Sequence, residues 1–296
     1  MNPRSLSSLR LLVGEGPVWD QRSNRLLCVD IERHNIHRID PVTGNSETKS
    51  MERQPAALGL CRSGRLIIGK VDGVFLTNFG SEISNKLCNP ISDQPFARLN
   101  DGKVAPDGSF WVSSMQNNVS SNGEPKDITN DIGGYYRIDA EGNVDQLVPN
   151  ELGITNTLAW SPDEKYFFYA DSVHSKIYRA ESNGTDLVNT EIFNSDFDRG
   201  VPDGSAMDVE GYLWNCRWGG SCVVRFSPDG RVDQVVEIPA TNITSCAFGG
   251  ADNKTLFVTS AQYGIEADQL ARNPLEGAIF AINTPVAGME VSEFAD

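Results

Sequence analysis

Four polar residues stand at equivalent places in successive segments of this 296-residue chain, namely Glu15, Asn100, Asn156 and Asp203. Each precedes a bulky apolar residue by four positions, and a turn and a short apolar run follow. Equivalent positions of a repeat fold converge in space. Two carboxylates and two amides that meet in this way supply the oxygen ligands that hard divalent cations prefer. We therefore expect a cation pocket where these four residues meet.

The segments around these residues are copies of one unit. Each unit has short apolar runs separated by turns such as Pro-Asp-Gly, and this pattern with period-two alternation predicts antiparallel strands. One residue per unit, which we call its anchor, gives Glu15, Ala57, Asn100, Asn156, Asp203 and Thr244, at intervals of 42, 43, 56, 47 and 41 residues. Six units, each long enough for a four-stranded sheet, predict an all-β, six-bladed β-propeller that spans residues 1–296 as a single domain.

The propeller geometry predicts where the anchors lie. The innermost strand of each blade begins at one mouth of the central channel, so all six anchors are expected at that mouth. Loops between the second and third strands are expected to form the next ring outward, with Asp30, Met115, Asp171, Ser172, Arg217 and Trp218. For ring closure, either residues 8–13 or residues 289–294 are expected to add a strand to the last blade.

The composition restricts the kinds of partner. The formal net charge is −15 and the pI is near 4.6, which argues against nucleic acid and anionic membranes, because both bind basic surfaces. No apolar run approaches the roughly 20 residues of a membrane span, and no signal peptide is recognisable. These features predict a cytoplasmic protein, a monomer or weak homo-oligomer, that acts on a small molecule.

The cysteines and histidines do not suggest a site of their own. The six cysteines are scattered without CxxC spacing, and we expect them to be reduced, buried thiols. Cys216 and Cys222 flank a Gly-Gly turn and are the one pair expected to face each other across a hairpin. Since His34, His37 and His174 lie away from the anchors, neither a histidine-based zinc site nor a Ser-His-Asp relay is expected.

The anchors suit Ca²⁺, Mg²⁺ or Mn²⁺ better than zinc, because their donors are all oxygens. Taken singly, the Asn and Asp anchors are better explained as turn residues, whereas Glu15 has no such preference and the four together favour a site. A cation held there would polarise a carbonyl, and Asp203 could both bind it and accept a proton from water. Arg98 lies two residues before Asn100, where its guanidinium either reaches a polar ligand or forms a surface salt bridge.

Five short motifs carry a resemblance to a known family: residues 14–19 (GEGPVW), 98–103 (RLNDGK), 156–161 (NTLAWS), 169–172 (YADS) and 202–204 (PDG). They resemble the senescence-marker-protein/gluconolactonase/regucalcin-like family of six-bladed propellers over most of the chain. The resemblance implies one divalent metal ion held by Glu15, Asn156 and Asp203, with Ca²⁺ as the expected ion and Mg²⁺, Mn²⁺ or Zn²⁺ as alternatives. It also implies that Arg98 and Asn100 contact the substrate and that Asp203 is the catalytic base.

One position departs from the family pattern. Some relatives carry an acidic substrate-contacting residue three positions after the methionine that matches Met115, and Asn118 stands there in this chain. We expect Asn118 to contact the substrate. The insert at residues 116–132 is polar and is expected to cover the mouth as a lid.

The sequence thus predicts an enzyme, a metal-dependent lactonase that hydrolyses a sugar lactone to the aldonic acid. One alternative is a related propeller hydrolase acting on phosphotriesters or aryl esters, for which a more apolar mouth is expected. The other is a non-enzymatic calcium-binding propeller, which would bind the ion without turnover.

Overall fold

Six β-sheets, antiparallel except where the C-terminal strand is added to the second, form a ring around a central channel in the computed structural model, which describes residues 1–118 and 126–296. In the first, third, fourth and fifth blades, four strands follow one another in chain order from the channel outward. The arrangement confirms the prediction of an all-β, six-bladed β-propeller.

The chain begins with β1 (Arg4–Ser5), and the first blade contains β2 (Gly14–Asp20), β3 (Arg25–Asp30), β4 (Asn35–Ile39) and β5 (Ser46–Ser50). The second contains β6 (Pro55–Cys61), β7 (Leu66–Lys70), β8 (Gly73–Thr77) and β9 (Ser84–Cys88), and the third β10 (Ala97–Val104), β11 (Phe110–Gln116), β12 (Gly133–Ile138) and β13 (Val144–Leu152).

The second half of the ring repeats the pattern. The fourth blade contains β14 (Thr155–Trp160), β15 (Tyr166–Asp171), β16 (Lys176–Ser182) and β17 (Leu187–Asn194), and the fifth β18 (Val201–Met207), β19 (Leu213–Trp218), β20 (Cys222–Phe226) and β21 (Val232–Glu237). The sixth contains β22 (Asn242–Gly249) and β23 (Thr255–Ala261), then a short helix α1 (Ala267–Arg272) and β24 (Phe280–Asn283), and the chain ends after β25 (Glu293–Phe294). No helix within the described ranges is long and apolar enough to cross a membrane.

The inner strands carry the core, and the outer strands face solvent. Every residue of β6 and β14 is buried, whereas most of β17 is exposed. Apolar side chains of neighbouring blades meet between the sheets: Trp111 of the third blade packs against Trp160 and Phe167 of the fourth, with ring centroids 5.2 and 4.7 Å away. Such aromatic pairs add roughly 0.5–1.5 kcal/mol beyond the area they bury. The blades are therefore fixed by apolar seams, which leaves the strand starts free to carry polar residues.

Ring closure differs from both expectations. The sixth blade takes its outermost strand from β1, which pairs antiparallel with β24 through Arg4–Ala281 and Ser5–Phe280. The strand therefore comes from upstream of residues 8–13. An outermost strand needs only two ladder pairs here, and so short a segment has no alternation pattern for the sequence to reveal.

The C-terminal segment joins the second blade instead of the last. Its strand β25 pairs parallel with β6, the innermost strand, and Phe294 is fully buried there. The segment lies across the end of the channel opposite the anchors. It lines a cavity of about 830 Å³ that extends from Asp101 and Lys103 to Met289 and Val291. The expectation that residues 289–294 complete the last blade is wrong, because β25 pairs with the innermost strand of the second blade and buries Phe294 there.

Cys216 and Cys222 do not face each other. Cys216 pairs with Val223, so Cys222 is one residue out of register and points to the opposite face of the sheet. Cys216 instead lies in the same apolar cluster as Cys246 of the sixth blade. All six thiols are free.

Candidate functional site

The inner strands depart from regular pairing at their anchors. In the first blade the register shifts by one residue between Glu15 and Val18, and the same shift occurs at the anchors of the third to sixth blades. Gly16 and Thr157, which directly follow the anchors Glu15 and Asn156, have positive φ values of 51° and 62°. A β-bulge of this kind bends the strand and redirects its side chains. The recurring bulge therefore explains why successive side chains at the anchors do not alternate between the two faces of the sheet.

Three carboxyl groups come together at the anchor ring. Asp203 is buried, and Glu15 and Asp101 are partly buried. Burial raises the pKa of Glu15 well above its ordinary value, and the negative charges of Asp203 and Asp101 raise it further. Burial and the Asp101 charge likewise raise the pKa of Asp203, while the Gly204 N–H and Arg217 act in the opposite direction. Because like charges repel strongly away from water, a cation is stabilised here.

The hydroxyl of Ser172 determines which way the Asn156 amide points. It donates its single hydrogen to the Pro202 carbonyl at 2.6 Å. It must therefore accept its 2.9 Å bond with Asn156, so the amide atom facing Ser172 is Nδ2. The Asn156 oxygen then lies on the other side, 3.3 Å from Nδ2 of Asn100. An outward-facing NH₂ would repel a cation, whereas this orientation presents an oxygen.

The backbone of each implied metal ligand is held by the preceding blade. In all three cases the carbonyl just before the ligand accepts a hydrogen bond from a polar side chain across the seam between blades. The bonds run from Asn100 Nδ2 to the Thr155 carbonyl at 2.8 Å, from Ser172 Oγ to the Pro202 carbonyl at 2.6 Å, and from Thr244 Oγ1 to the Gly14 carbonyl at 2.5 Å. The third bond crosses the closure between the last and first blades, so the geometry of this site depends on the closed ring.

Arg98, Asn100 and Asn118 form a connected group beside the anchors. Arg98 donates from Nε to Asn118 Oδ1 and from Nη1 to Asn100 Oδ1, both at 2.9 Å. Burial lowers the pKa of Arg98 to about 10, so it stays charged at neutral pH. Within the described residues it forms no salt bridge, and its Nη2 atom makes no hydrogen bond. The guanidinium is therefore held by amides with one nitrogen left for a ligand, in contrast to the surface salt bridge considered above.

Sequence reasoning missed Asp101 and Lys103, although both lie in the RLNDGK motif. In a regular strand Asp101 would face away from Asn100, and the bulge removes that separation. The Asp101 carboxylate accepts the Gly102 N–H at 2.7 Å, and Lys103 Nζ donates to the Ser205 carbonyl at 2.8 Å. Burial raises the pKa of Asp101, and the charge of Lys103 acts against it. This pair adds a third carboxylate to the site together with a cation that partly balances it.

Three residues expected in the second ring hold loops in place. All three are buried and use their polar atoms on backbone groups of neighbouring segments. Asp30 accepts the N–H groups of Leu12 and Val13 at 3.0 Å, Asp171 accepts the Gly153 N–H at 3.0 Å, and Arg217 Nη2 donates to the carbonyls of Phe197 at 2.9 Å and Gly200 at 2.8 Å. Their polar groups therefore stabilise the rim of the channel.

The expected lid is described only at its two ends, since residues 119–125 lie outside the described residues and include the SSNG sequence at 120–123. At its base, Gln116 Oε1 accepts the backbone N–H groups of Thr129 at 2.9 Å and Asn130 at 2.8 Å. These bonds bring the two ends of the insert together beside Asn118.

An ion at the anchors would need an amide as well as carboxylates. In the part of the chain that the structure describes, no group of three His, Cys, Asp and Glu side chains is arranged to hold a metal ion by itself. Glu15, Asp203 and the oriented Asn156 amide supply two charged oxygen donors and one neutral one. This donor set fits Ca²⁺, Mg²⁺ or Mn²⁺, which accept carboxylate, amide and water oxygens.

The amino-acid sequence is similar to those of proteins from one family. A family model described as SMP-30/Gluconolactonase/LRE-like region matches residues 13–262. The 6-deoxy-6-sulfogluconolactonase of Pseudomonas putida is 31% identical over 287 residues, covering 96% of this chain and 95% of that protein. Regucalcin of Gallus gallus is 31% identical over 284 residues, covering 94% and 92%.

A solved structure of a related protein has the same fold. The calcium-binding protein regucalcin from Agrobacterium tumefaciens superposes with a TM-score of 0.91 at 27% identity, covering 100% of this chain and 98% of that one. The family match extends over the anchors of all six blades. The chain therefore belongs to the SMP-30/gluconolactonase/LRE-like family.

Proposed function

We propose that this protein is a divalent-metal-dependent lactonase that hydrolyses a sugar lactone to the aldonic acid. Two observations support this most directly. The negative charge of Asp203 acts on the nearby Glu15 carboxyl, and the Asn156 amide oxygen is connected through Asn100 to the Arg98 guanidinium. A relative that matches along nearly the whole chain is named as a sulfogluconolactonase. Ion ligands next to a charged donor with a free nitrogen suit a polar ester better than an apolar one.

Glu15, Asn156 and Asp203 are the residues that would hold the ion. When bound, a divalent ion would polarise the lactone carbonyl and make water more acidic. Asp203 is the proposed base, because it is buried at the anchor ring and its second carboxylate oxygen would stay available to water while the first holds the ion. One carboxylate oxygen of Asp203 takes a proton from water, and the water oxygen forms a bond to the carbonyl carbon. The ester bond to the ring oxygen then breaks, and that oxygen takes up the proton to give the hydroxyl of the aldonic acid.

Arg98, Asn100 and Asn118 are proposed to orient the sugar. Within the described residues Nη2 of Arg98 has no hydrogen-bond partner and can donate to a hydroxyl or carbonyl oxygen, while Asn118 and Asn100 engage Nε and Nη1. The described donors around this point are amides and a guanidinium, which favours a polar lactone over an aryl phosphotriester. A neutral lactone also tolerates the net charge of −15, which repels the carboxylate product.

A pH-stat assay tests the proposal. Protein treated with EDTA is reloaded separately with Ca²⁺, Mg²⁺, Mn²⁺ and Zn²⁺ and assayed on a panel of aldonolactones, with paraoxon in parallel. We expect ion-dependent lactone hydrolysis that Asp203→Asn abolishes. Asp229→Asn, in an exposed hairpin of the same blade, is the matched control and should keep full activity.

Other outcomes would reject the proposal in different ways. Equal rates with and without metal would remove the role of the ion. Turnover of paraoxon but of no lactone would indicate a phosphotriesterase. Calcium binding without hydrolysis of any ester would indicate a calcium-binding propeller.

A further inference from the structure

We infer that Ser172 is a positioning residue for the ion site, because its one hydroxyl, which donates to the backbone carbonyl before Asp203, fixes the orientation of the Asn156 amide. The inference rests on the proposed function, since it concerns the ligands of that site. It assigns a role to a residue that neither binds the ion nor touches the substrate.

The hydrogen-bonding capacity of the hydroxyl carries the argument. Ser172 is 6% exposed and follows the last residue of β15 in the fourth blade. Its hydrogen goes to the Pro202 carbonyl of the fifth blade at 2.6 Å, and a lone pair accepts from Asn156 Nδ2 at 2.9 Å. A carbonyl only accepts, so the direction of both bonds is determined. One side chain therefore connects two proposed ligands that lie on different blades.

The surrounding contacts separate this role from general support of the fold. The Asn156 carbonyl is held independently by the Tyr135 hydroxyl at 2.6 Å. The Asp203 carbonyl is held by Thr157 Oγ1 at 2.6 Å. Both strands thus keep anchoring bonds when Ser172 is changed, and the specific loss is control of the Asn156 side chain.

Replacing Ser172 with alanine should weaken ion binding. Without the acceptor, the Asn156 amide can rotate and direct its NH₂ group towards the cation. Loss of an outer partner of a metal ligand typically reduces metal affinity by about 10–100-fold. We expect Ser172→Ala to raise the Kd for Mn²⁺ by this factor, measured by isothermal titration calorimetry on EDTA-treated protein.

Ser109→Ala is the matched control. Ser109 is equally buried, at 3% exposed, and its hydroxyl also joins two groups, donating to Asp107 at 2.5 Å and accepting from Trp111 Nε1 at 2.9 Å. It lies at the opposite end of its blade from the anchors. We expect a similar fall in the melting temperature of the ion-free protein and an unchanged Kd for Mn²⁺.

A double-mutant cycle tests whether Ser172 acts through Asn156. In an Asn156→Asp background the two carboxylate oxygens are equivalent, so rotation of the group no longer matters. Adding Ser172→Ala there should change the Kd for Mn²⁺ by no more than about twofold, which is within the usual scatter of such a cycle. If Ser172→Ala does not fold, Ser172→Cys keeps the volume with a much weaker hydrogen-bonding group and should show the same loss.

The results separate this inference from the proposed function. Wild-type protein that neither binds Mn²⁺ nor hydrolyses lactones would overturn the proposed function. Wild-type protein that does both, while Ser172→Ala binds Mn²⁺ as tightly as Ser109→Ala, would overturn only the role of Ser172. The same holds if Ser172→Ala loses as much affinity in the Asn156→Asp background as in the wild type.

Discussion

Replacing Asp203 with asparagine should stabilise the ion-free protein and at the same time remove its ion-dependent function. Asp203 is 5% exposed and belongs to a group of three carboxyls. Burial, and then the charge of Asp101, raise its pKa well above the ordinary range. Asparagine has nearly the same shape, and its oxygen still accepts the Gly204 N–H. The substitution therefore removes one negative charge with little change in packing.

The sign follows from proton linkage. A carboxyl whose pKa is higher in the folded state binds its proton more tightly when folded, so this stabilisation is fully present below the unfolded pKa of about 3.9 and is lost as pH rises through the folded pKa. The cost of the charge in the ion-free wild type therefore grows as the pH rises, and it is larger at pH 8 than at pH 5. One pKa unit corresponds to about 1.4 kcal/mol, and the Gly204 N–H and Arg217 offset part of the effect. We expect Asp203→Asn to gain about 1–3 kcal/mol.

Differential scanning calorimetry of EDTA-treated protein measures this gain. The melting temperature of Asp203→Asn should exceed that of the wild type by about 2–8 °C at pH 8, at a few degrees per kcal/mol, and the difference should shrink towards pH 5. Ion at about 100 times its Kd should stabilise the wild type by about 2.7 kcal/mol and leave the variant unchanged. An ion-free variant that melts at or below the wild type at pH 8 would refute the electrostatic reasoning.

Three further predictions concern the ends of the chain, the closure and the substrate. Phe294→Ala should lower the free energy of unfolding in urea by about 3–5 kcal/mol, because this side chain is fully buried. The control Val42→Ala, at a position that is 90% exposed, should change it by no more than about 0.5 kcal/mol. Similar values for both variants would contradict the role of the C-terminal strand. Thr244→Val removes the donor to the Gly14 carbonyl. It should lower the free energy of unfolding by about 1–3 kcal/mol and weaken Mn²⁺ binding in calorimetry. An unchanged Kd for Mn²⁺ would show that this bond does not hold Glu15. Arg98→Met should raise KM for the preferred lactone by about 10–100-fold with a smaller change in kcat, and a fall in kcat alone would place Arg98 in the chemical step instead.

The sequence by itself predicted the architecture and the positions of the candidate site. The turns, the period-two alternation and the anchor spacing are local signals, and they recur six times, so errors in one copy are corrected by the others. Because equivalent positions in a closed repeat converge, the same pattern located Glu15, Asn156 and Asp203 on inner strands around one channel. Asn100 was predicted beside them for the same reason, and Arg98 because it lies two residues before Asn100.

Only the tertiary structure decided the details that depend on distant partners. The bulges bring Asp101 into the anchor group, although strand alternation predicts the opposite face. Ring closure by β1 and the burial of β25 against β6 involve two residue pairs each, too few to leave a pattern in the sequence. The orientation of the Asn156 amide follows from a single hydroxyl that connects two blades, because one hydrogen can be donated only once, and no local pattern encodes where its acceptor lies.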